Sequence, residues 1–329
     1  MARVLLKPYL LGFFAFLLLL LLIYTFSVQS SLCICRKKWL EKKHDEKILN
    51  LNFYYKILNL VCEAKTPDFI VIIASSAVNF DNRRVIRNTW ARNQSIPIIF
   101  ALASVIDENI QRKIEAENRK YSDIIQGNFI DKYRNLTYKH LMILKYVKDY
   151  CPKTKFLLKL DDDVFVNMPQ MLNFIQNDLQ PTFTHNVIIC DPYVNSPVKR
   201  TNSKWSVTYQ EFPSYQYPTF CPGWRIIYSM DMVEYLINQA KNKNVKFFWI
   251  DDVFVSGVLA SHLKDVHKNI TSLTMQHYVV DSVLENKTSY TPFLVASAFL
   301  NPKQYGPLLE VVLKNHPVQS FKYKLKWLN

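Results

Sequence analysis

Short apolar runs that alternate with amphipathic stretches restrict the possible folds of this chain more than any other feature. Residues 69–74, 98–103, 123–126, 156–160 and 187–190 are brief, apolar and bounded by charge or turn formers, the pattern of strands buried on both faces. Residues 83–90, Glu108–Tyr121, Leu136–Tyr150, 168–177 and 230–241 carry helical spacing, and Cys151-Pro152 stops the third of them. This order predicts an α/β domain with a mostly parallel central sheet flanked by helices. Between 191 and 222 prolines and aromatics displace any period, which marks an irregular excursion facing a substrate rather than a core. The 329 residues suffice for one large domain or two small ones.

The run at 156–160 stops at Asp161-Asp162-Asp163. Ligands of open α/β sheets bind outside the carboxyl ends of the strands, so the acids stand where a ligand is expected. Side chains alternate along an extended segment, which aims Asp161 and Asp163 one way and Asp162 another. Adjacent carboxylates repel one another and are costly to desolvate unless a cation neutralises them. Mg²⁺ or Mn²⁺ does so with one or two carboxylates, water and the phosphates of a nucleotide, so the triad points to a metal–diphosphate site. A solvated acidic turn or a helix N-terminus is the alternative. A second apolar run, 247–250, stops at Asp251-Asp252 and repeats the form. Two acidic strand ends can divide one site, one holding metal and the other acting as base. For the second pair the alternative is the N-cap and first turn of a helix over 253–261.

Only five glycines are present and no GxGxxG or Walker pattern occurs, which excludes a glycine-rich phosphate loop. The net charge of +14 favours an anionic partner, but the basic residues are scattered, so charge alone does not choose among nucleic acid, nucleotide diphosphate, acidic glycan and membrane surface. Residues 9–28 are almost wholly apolar and long enough to span a bilayer, which reads as a single transmembrane signal anchor behind a short tail, 1–8. A cleaved signal peptide is the rival, with a typical apolar region of about 7–15 residues. The lysines and arginine at 36–43 argue for a cytosolic C-terminal part. The sequons at Asn93, Asn135, Asn269 and Asn286 argue for a lumenal one. Residues 29–66, rich in Lys, Glu and Asn with an amphipathic helix over 48–60, read as a stem, and 67–329 as the folded domain. Cys62, Cys151, Cys190 and Cys221 lack zinc-site spacing and are assigned to disulfides, with three pairings open. Cys33 and Cys35 lie just past the span.

Taken in order, Arg83-Arg-Val-Ile-Arg-Asn-Thr-Trp90, Tyr133-Arg-Asn-Leu-Thr137, Cys151-Pro, the segment 159–167, Tyr217-Pro-Thr-Phe-Cys-Pro-Gly223 and Asp251-Asp-Val-Phe-Val-Ser-Gly257 resemble the motifs of the β1,3-galactosyltransferase family, which includes β1,3-N-acetylglucosaminyltransferases. The resemblance covers 69–260. It implies a GT-A-like fold in a type II Golgi membrane protein whose lumenal domain, with inversion, transfers a hexose, galactose foremost, from a UDP-sugar to a glycan acceptor in β1,3 linkage. Mn²⁺ is the implied cofactor, held by Asp163 with Asp161, while Asp161 and Asp162 support metal and ribose contacts. Asp252 is the implied base. Arg84 and Arg87 are implied in donor binding, with a structural ion pair as the alternative. Asp251 and Trp224 fall on the acceptor side, where Trp224 either stacks on sugar or fills the core. Some relatives add a late histidine to the metal, for which His262, His267, His277 and His316 are available, water being the other choice.

The chain departs from the family at three places. Asp251 stands where Glu is common, Pro222-Gly223-Trp224-Arg225 replaces a glycine-rich turn, and no cysteine follows Gly257. A catalytically weak or inactive relative that binds glycan or protein is therefore the alternative function. A metal-dependent nucleic-acid enzyme is opposed by the anchor and the sequons, so no nucleic acid is expected as partner.

Overall fold

The computed structural model describes residues 54–63, 67–181, 183, 185–242, 244–296, 298–315, 318, 326 and 327, together with Leu18, Leu21 and Tyr24. The chain divides into Met1–Lys47 and Ile48–Asn329, and the architecture below belongs to the second unit. The expected anchor at 9–28 lies outside the described residues apart from Leu18, Leu21 and Tyr24, which are helical. Among the described residues no helix is long and apolar enough to cross a membrane.

A nine-stranded sheet forms the centre. Its strands in chain order are β1 (Tyr55–Ile57), β2 (Phe69–Ala74), β3 (Ile98–Ser104), β4 (Ile124–Ile130), β5 (Phe156–Asp161), β7 (Ile188–Cys190), β8 (Arg225–Ser229), β9 (His267–Asn269) and β12 (Lys326–Trp327). Across the sheet the order is β1-β4-β3-β2-β5-β8-β7-β9-β12. The block β4-β3-β2-β5 is parallel throughout, β8 runs against both its neighbours, and β7 and β9 run parallel to each other. A small second sheet joins β10 (Thr274–Met275), β11 (Val295–Ala296) and β6 (Phe165–Val166).

Helices cover both faces: α1 (Phe80–Asn88), α2 (Glu108–Tyr121), α3 (Leu136–Tyr150), α4 (Met168–Asn173), α5 (Met230–Ala240), α6 (His277–Leu284) and α7 (Pro302–Lys314). Strand alternation divides the interior into two cores. Phe69, Val71 and Ile73 of β2 pack with Ile86 of α1 and Leu308 of α7, whereas Ile70 and Ile72 pack with the α3 residues Leu141, Leu144 and Val147. Burial of both strand faces is why these runs lack polar alternation.

Several expectations need correction. Tyr55–Ile57 lies in the stretch read as stem and as helix, yet it is an edge strand antiparallel to β4. The Tyr55 hydroxyl donates to the Met142 carbonyl at 3.2 Å, and Cys62 is bonded to Cys151, so the folded body begins before residue 67. The helix read over 168–177 is α-helical only to Asn173 and continues as a π-helical segment, Phe174–Leu179. The run at 247–250 is not a strand: the Thr137 hydroxyl, rather than a neighbouring strand, bonds the Phe248 carbonyl at 2.9 Å, and Phe248 packs against Phe212 and Tyr217. The second acidic pair is therefore a helix entrance. β8 was not anticipated at all. The other disulfide is Cys190–Cys221, which settles the pairings of the four cysteines assigned to disulfides.

Candidate active site

Ser75, Asp131 and Asp161 stand at or just past the carboxyl ends of the parallel strands β2, β4 and β5, and they line one open cleft of about 1120 Å³. Its floor is polar because Lys159 interrupts the apolar run of β5 on the face that Asp161 shares. The Lys159 ammonium, 2% exposed, donates to Asp161 Oδ1 at 2.9 Å and to the Gly223 carbonyl. Burial alone would lower its pKa, but Asp161, Asp251 and Asp252 outweigh that and raise it. Surrounding protein raises the Asp161 carboxyl more than Lys159 lowers it, although 43% of that side chain faces the open cleft.

Asp162 turns inward as the alternation requires and is 8% exposed. It accepts hydrogen bonds from the Ser75 hydroxyl at 2.6 Å, from Asn79 at 3.0 Å and, at the limit, from Asn82 at 3.5 Å. Buried Arg83 braces the same loop by donating to Ser75 Oγ and the Ser76 carbonyl, and it pairs with Glu117 at 2.7 Å. Lys139 ties Asp131 to the Ser75 carbonyl, both at 2.8 Å. Asp162 thus fixes the loop after β2.

Neither Arg84 nor Arg87 reaches the cleft, which corrects their expected place at the donor. Arg84 is 65% exposed and pairs with Asp81 on its own helix. Arg87 lies one turn from Arg83 and is held by Glu117 at 2.6 Å and Asp123 at 2.7 Å, over the ring of Phe100. The ion-pair alternative is the one the geometry contains. Desolvation pulls the Arg87 pKa down, but Asp123 and Glu117 overcome it.

Asp163 joins Asp161 at the cleft. Its Oδ2 accepts from Phe299 N at 3.1 Å, while its buried Oδ1 has no protein partner. Burial and the neighbouring Asp161 charge raise its pKa. Among the described residues no group of three or more His, Cys, Asp or Glu forms a ready metal cluster. Two oxygen-donating carboxylates, one with an orphaned buried atom, nevertheless fit a hard divalent ion whose other positions are filled by phosphate and water. Of the late histidines, His277 lines the cleft and His267 is bonded to the Ser256 carbonyl at 2.7 Å. His262 is exposed, and His316 lies outside the described residues.

Asp251 and Asp252, which line the same cleft, open the π-helical segment Val253–Val258. Asp252 Oδ1 accepts from Val253 N at 2.8 Å and its Oδ2 from Gly223 N at 3.3 Å. Asp251 Oδ2 meets His140 Nδ1 at 3.0 Å, and His140 Nε2 meets the Tyr228 hydroxyl at 3.0 Å. Burial would raise the Asp251 pKa, but His140 and Lys159 bring it below the usual value. Burial together with that adjacent negative charge pushes Asp252 up to about 7. Asp251 is thereby held as the anion and Asp252 is left as the acid that titrates near neutrality. Asp252 is thus the cap of this segment, and the same carboxyl lines the cleft.

Trp224 packs on the core and also lines the cleft, with the Arg225 guanidinium over its ring. His140, Lys159 and Gly223 went unnoticed as site residues. For Lys159 the signal was present, because a lysine inside an apolar strand must find acid on its own face. Of the sequons, Asn93 and Asn286 are exposed, whereas the Asn135 amide donates to the Ile130 carbonyl at 2.7 Å and half-buried Asn269 accepts from Thr271.

A largely parallel sheet gathers carboxylates at its strand ends, in one cleft with an aspartate raised to about 7, and so offers both oxygen donors for a cation and a group able to take up a proton. The chain belongs to the galactosyltransferase family, which residues 81–271 match. It is 32% identical over 201 residues to mouse beta-1,3-galactosyltransferase 1, covering 59% of this chain and 60% of the relative. To human beta-1,3-galactosyltransferase 2 it is 32% identical over 210 residues, covering 60% and 48%. The chain thus spans about half to three-fifths of the length of the curated relatives it matches. Among solved structures, the galactosyltransferase LgtC with donor and acceptor sugar analogues aligns at TM-score 0.36 and 14% identity, over 76% of this chain and 97% of that one. The bifunctional glycosyltransferase WbbM aligns at 0.40 and 11%, over 81% and 52%.

Proposed function

We propose that this chain is an inverting, UDP-sugar-dependent β1,3-hexosyltransferase with a GT-A-like domain, and that it passes galactose to a glycan acceptor. The observation that carries the reading is Asp252, a carboxyl poised at about 7, lining one cleft with Asp161 and Asp163. Asp252 accepts the proton of the acceptor hydroxyl as that oxygen bonds the anomeric carbon and the carbon–oxygen bond to UDP breaks, so no covalent intermediate forms. General base catalysis of this kind is typically worth about 10² to 10⁴-fold. Gly223 N and Val253 N aim the carboxylate, and His140 holds Asp251 ionised beside it.

Asp161 and Asp163 are the residues that would hold Mn²⁺, which when bound neutralises charge on the departing diphosphate. Asp162 keeps the loop after β2 in place for the nucleotide rather than meeting it through both oxygens. The apolar segment 9–28 and the sequons support a type II anchor in the Golgi membrane with the domain in the lumen.

The full-length protein in detergent, incubated with a panel of UDP-sugars and simple acceptors with and without Mn²⁺, tests this through released UDP. Metal-dependent release with one donor, lost in Asp252→Asn, is the expected outcome. Absence of UDP-sugar binding under all conditions would overturn the donor site, and full turnover in Asp252→Asn would overturn the base.

A further inference from the structure

The irregular excursion between Cys190 and Cys221 does more than enclose the cleft. Its ends are joined by their disulfide, and its course is fixed from within by Arg200, which donates to the carbonyls of Val207, Phe212 and Ser214. Val207 N donates to the Lys199 carbonyl at 2.9 Å, folding the segment back on itself. Glu211 fastens it to the body through Arg134 at 2.8 Å and through the indole of Trp249. The side chains it presents are therefore positioned.

Those facing the cleft include lysines and aromatic rings, with Asp191 at the start of the segment paired to Arg225. Lys199, Lys204 and Trp205 all line the cleft, the last 45% exposed. The Lys204 ammonium stands over the Trp205 ring at 4.5 Å and over the Tyr133 ring at 5.5 Å. The Tyr133 phenol is hydrogen-bonded to the Trp205 side chain, while burial, with the charges of Asp251, Asp252 and Asp161, pushes it up to about 12. Among the described residues, the cleft lysines Lys139 and Lys159 are paired with Asp131 and Asp161, whereas Lys199 and Lys204 of the excursion, like Lys132 beside Tyr133, have no carboxylate partner. Two free ammonium groups beside an aromatic plate suit a sugar ring that carries negative charge.

Position separates this patch from the donor. The donor side is marked by Asp161, Asp163 and the loop after β2, whereas the excursion ends two residues before Gly223, whose amide holds Asp252. Lys204 stands over the Tyr133 ring, on which Asp251 and Asp252 act more strongly than Asp161, so a group bound there lies nearer the base.

We propose that Lys199, Lys204, Trp205 and Tyr133 form an acceptor subsite for an anionic sugar residue, bearing a carboxylate or a sulfate ester, next to the hydroxyl that Asp252 deprotonates. This rests on the transferase reading. The test is designed so that the two can fail separately.

The full-length protein in detergent is titrated calorimetrically, without donor, with three oligosaccharides of one core: neutral, uronic-acid-bearing and sulfated. The wild type should bind at least one anionic member about tenfold more tightly than the neutral one, with the preference shrinking as salt rises. Lys199→Gln/Lys204→Gln should remove the preference, and Trp205→Ala should weaken all three ligands. Both lysines are exposed, and an unchanged unfolding temperature verifies that the variant is folded. Preference for carboxylate over sulfate, or the reverse, supports the subsite and names the charge.

Equal binding of neutral and anionic members would overturn it, as would a preference that survives in the double variant. Weakened UDP binding in that variant would assign the lysines to the donor and overturn it too. An anionic preference without UDP release on any acceptor would refute the transferase reading and support the subsite. Release on neutral acceptors without the preference would do the opposite.

Discussion

Removing one negative charge beside Asp252 should move the pH dependence of transfer. With the Asp252 carboxyl at about 7, about one-tenth is ionised at pH 6 and nine-tenths at pH 8. A reaction that needs the ionised base is present above the raised pKa and lost as pH falls through it. Acceptor kcat/KM should therefore drop about tenfold between pH 8 and pH 6. Asp251→Asn keeps the shape and still accepts from His140 Nδ1, but it deletes the neighbouring charge. Two unit charges roughly 6 Å apart at an effective dielectric of about 20 repel by about 3 kcal/mol, or about 2 pH units. Lys159 already offsets part of that, so the acid limb should move down by about 1 to 2 units. The assay is UDP release at saturating donor and limiting acceptor across pH 5 to 9, for wild type and variant. A limb that stays near 7 in Asp251→Asn would refute the assignment of the raised pKa to this pair, and a wild-type limb near 4 would refute Asp252 as the group observed.

Glu117→Gln should leave buried Arg83 and half-buried Arg87 short of an anion and cost about 3 to 5 kcal/mol in chemical denaturation. Burial would raise the Glu117 pKa, but the two arginines hold it below the usual value. Its contribution to stability is therefore full above the unfolded carboxylate range and fades as pH falls through the lowered value, a slope that Glu117→Gln should flatten. In Gly223→Ala the new methyl would lie 3.5 Å from Asp251 Oδ2, Asp252 Cβ and Lys159 Nζ. That is ordinary contact, so the unfolding midpoint should hold while kcat falls, the two being read on one preparation. When the chain is secreted from eukaryotic cells, intact mass should reveal glycans removable by Asn93→Gln and Asn286→Gln but none removable by Asn135→Gln, whose amide is already bonded. Cys62→Ser opens a link between residues 89 apart and should cost up to about 4.7 kcal/mol, measured by denaturant midpoint.

How much of this was legible depended on whether a signal was local. Strands β2 and β3 could be read because both faces are buried, leaving unbroken apolar runs, and β5 was legible despite its single lysine. β8 follows directly on the irregular excursion and pairs with partners far away in sequence, so nothing near it announces a strand. The acids were legible, but their setting was not: Asp251-Asp252 resembles a strand end until Thr137 is seen to occupy the Phe248 carbonyl. Arg84 and Arg87 looked equivalent, yet the 3.6-residue period sends Arg87 with Arg83 to Glu117 and turns Arg84 to solvent. His140 offered no sequence cue, since its partners Asp251 and Tyr228 come from segments about a hundred residues away.

The Cys190–Cys221 bond has an evolutionary side. It closes the excursion into a ring whose two ends are anchored, one on β7 and the other just before Gly223. Substitutions, and even insertions, within such a ring alter what the cleft mouth presents without displacing the amide that aims Asp252. A lineage can therefore redraw the specificity of this protein in one covalently bounded segment while the chemistry beneath it stays unchanged.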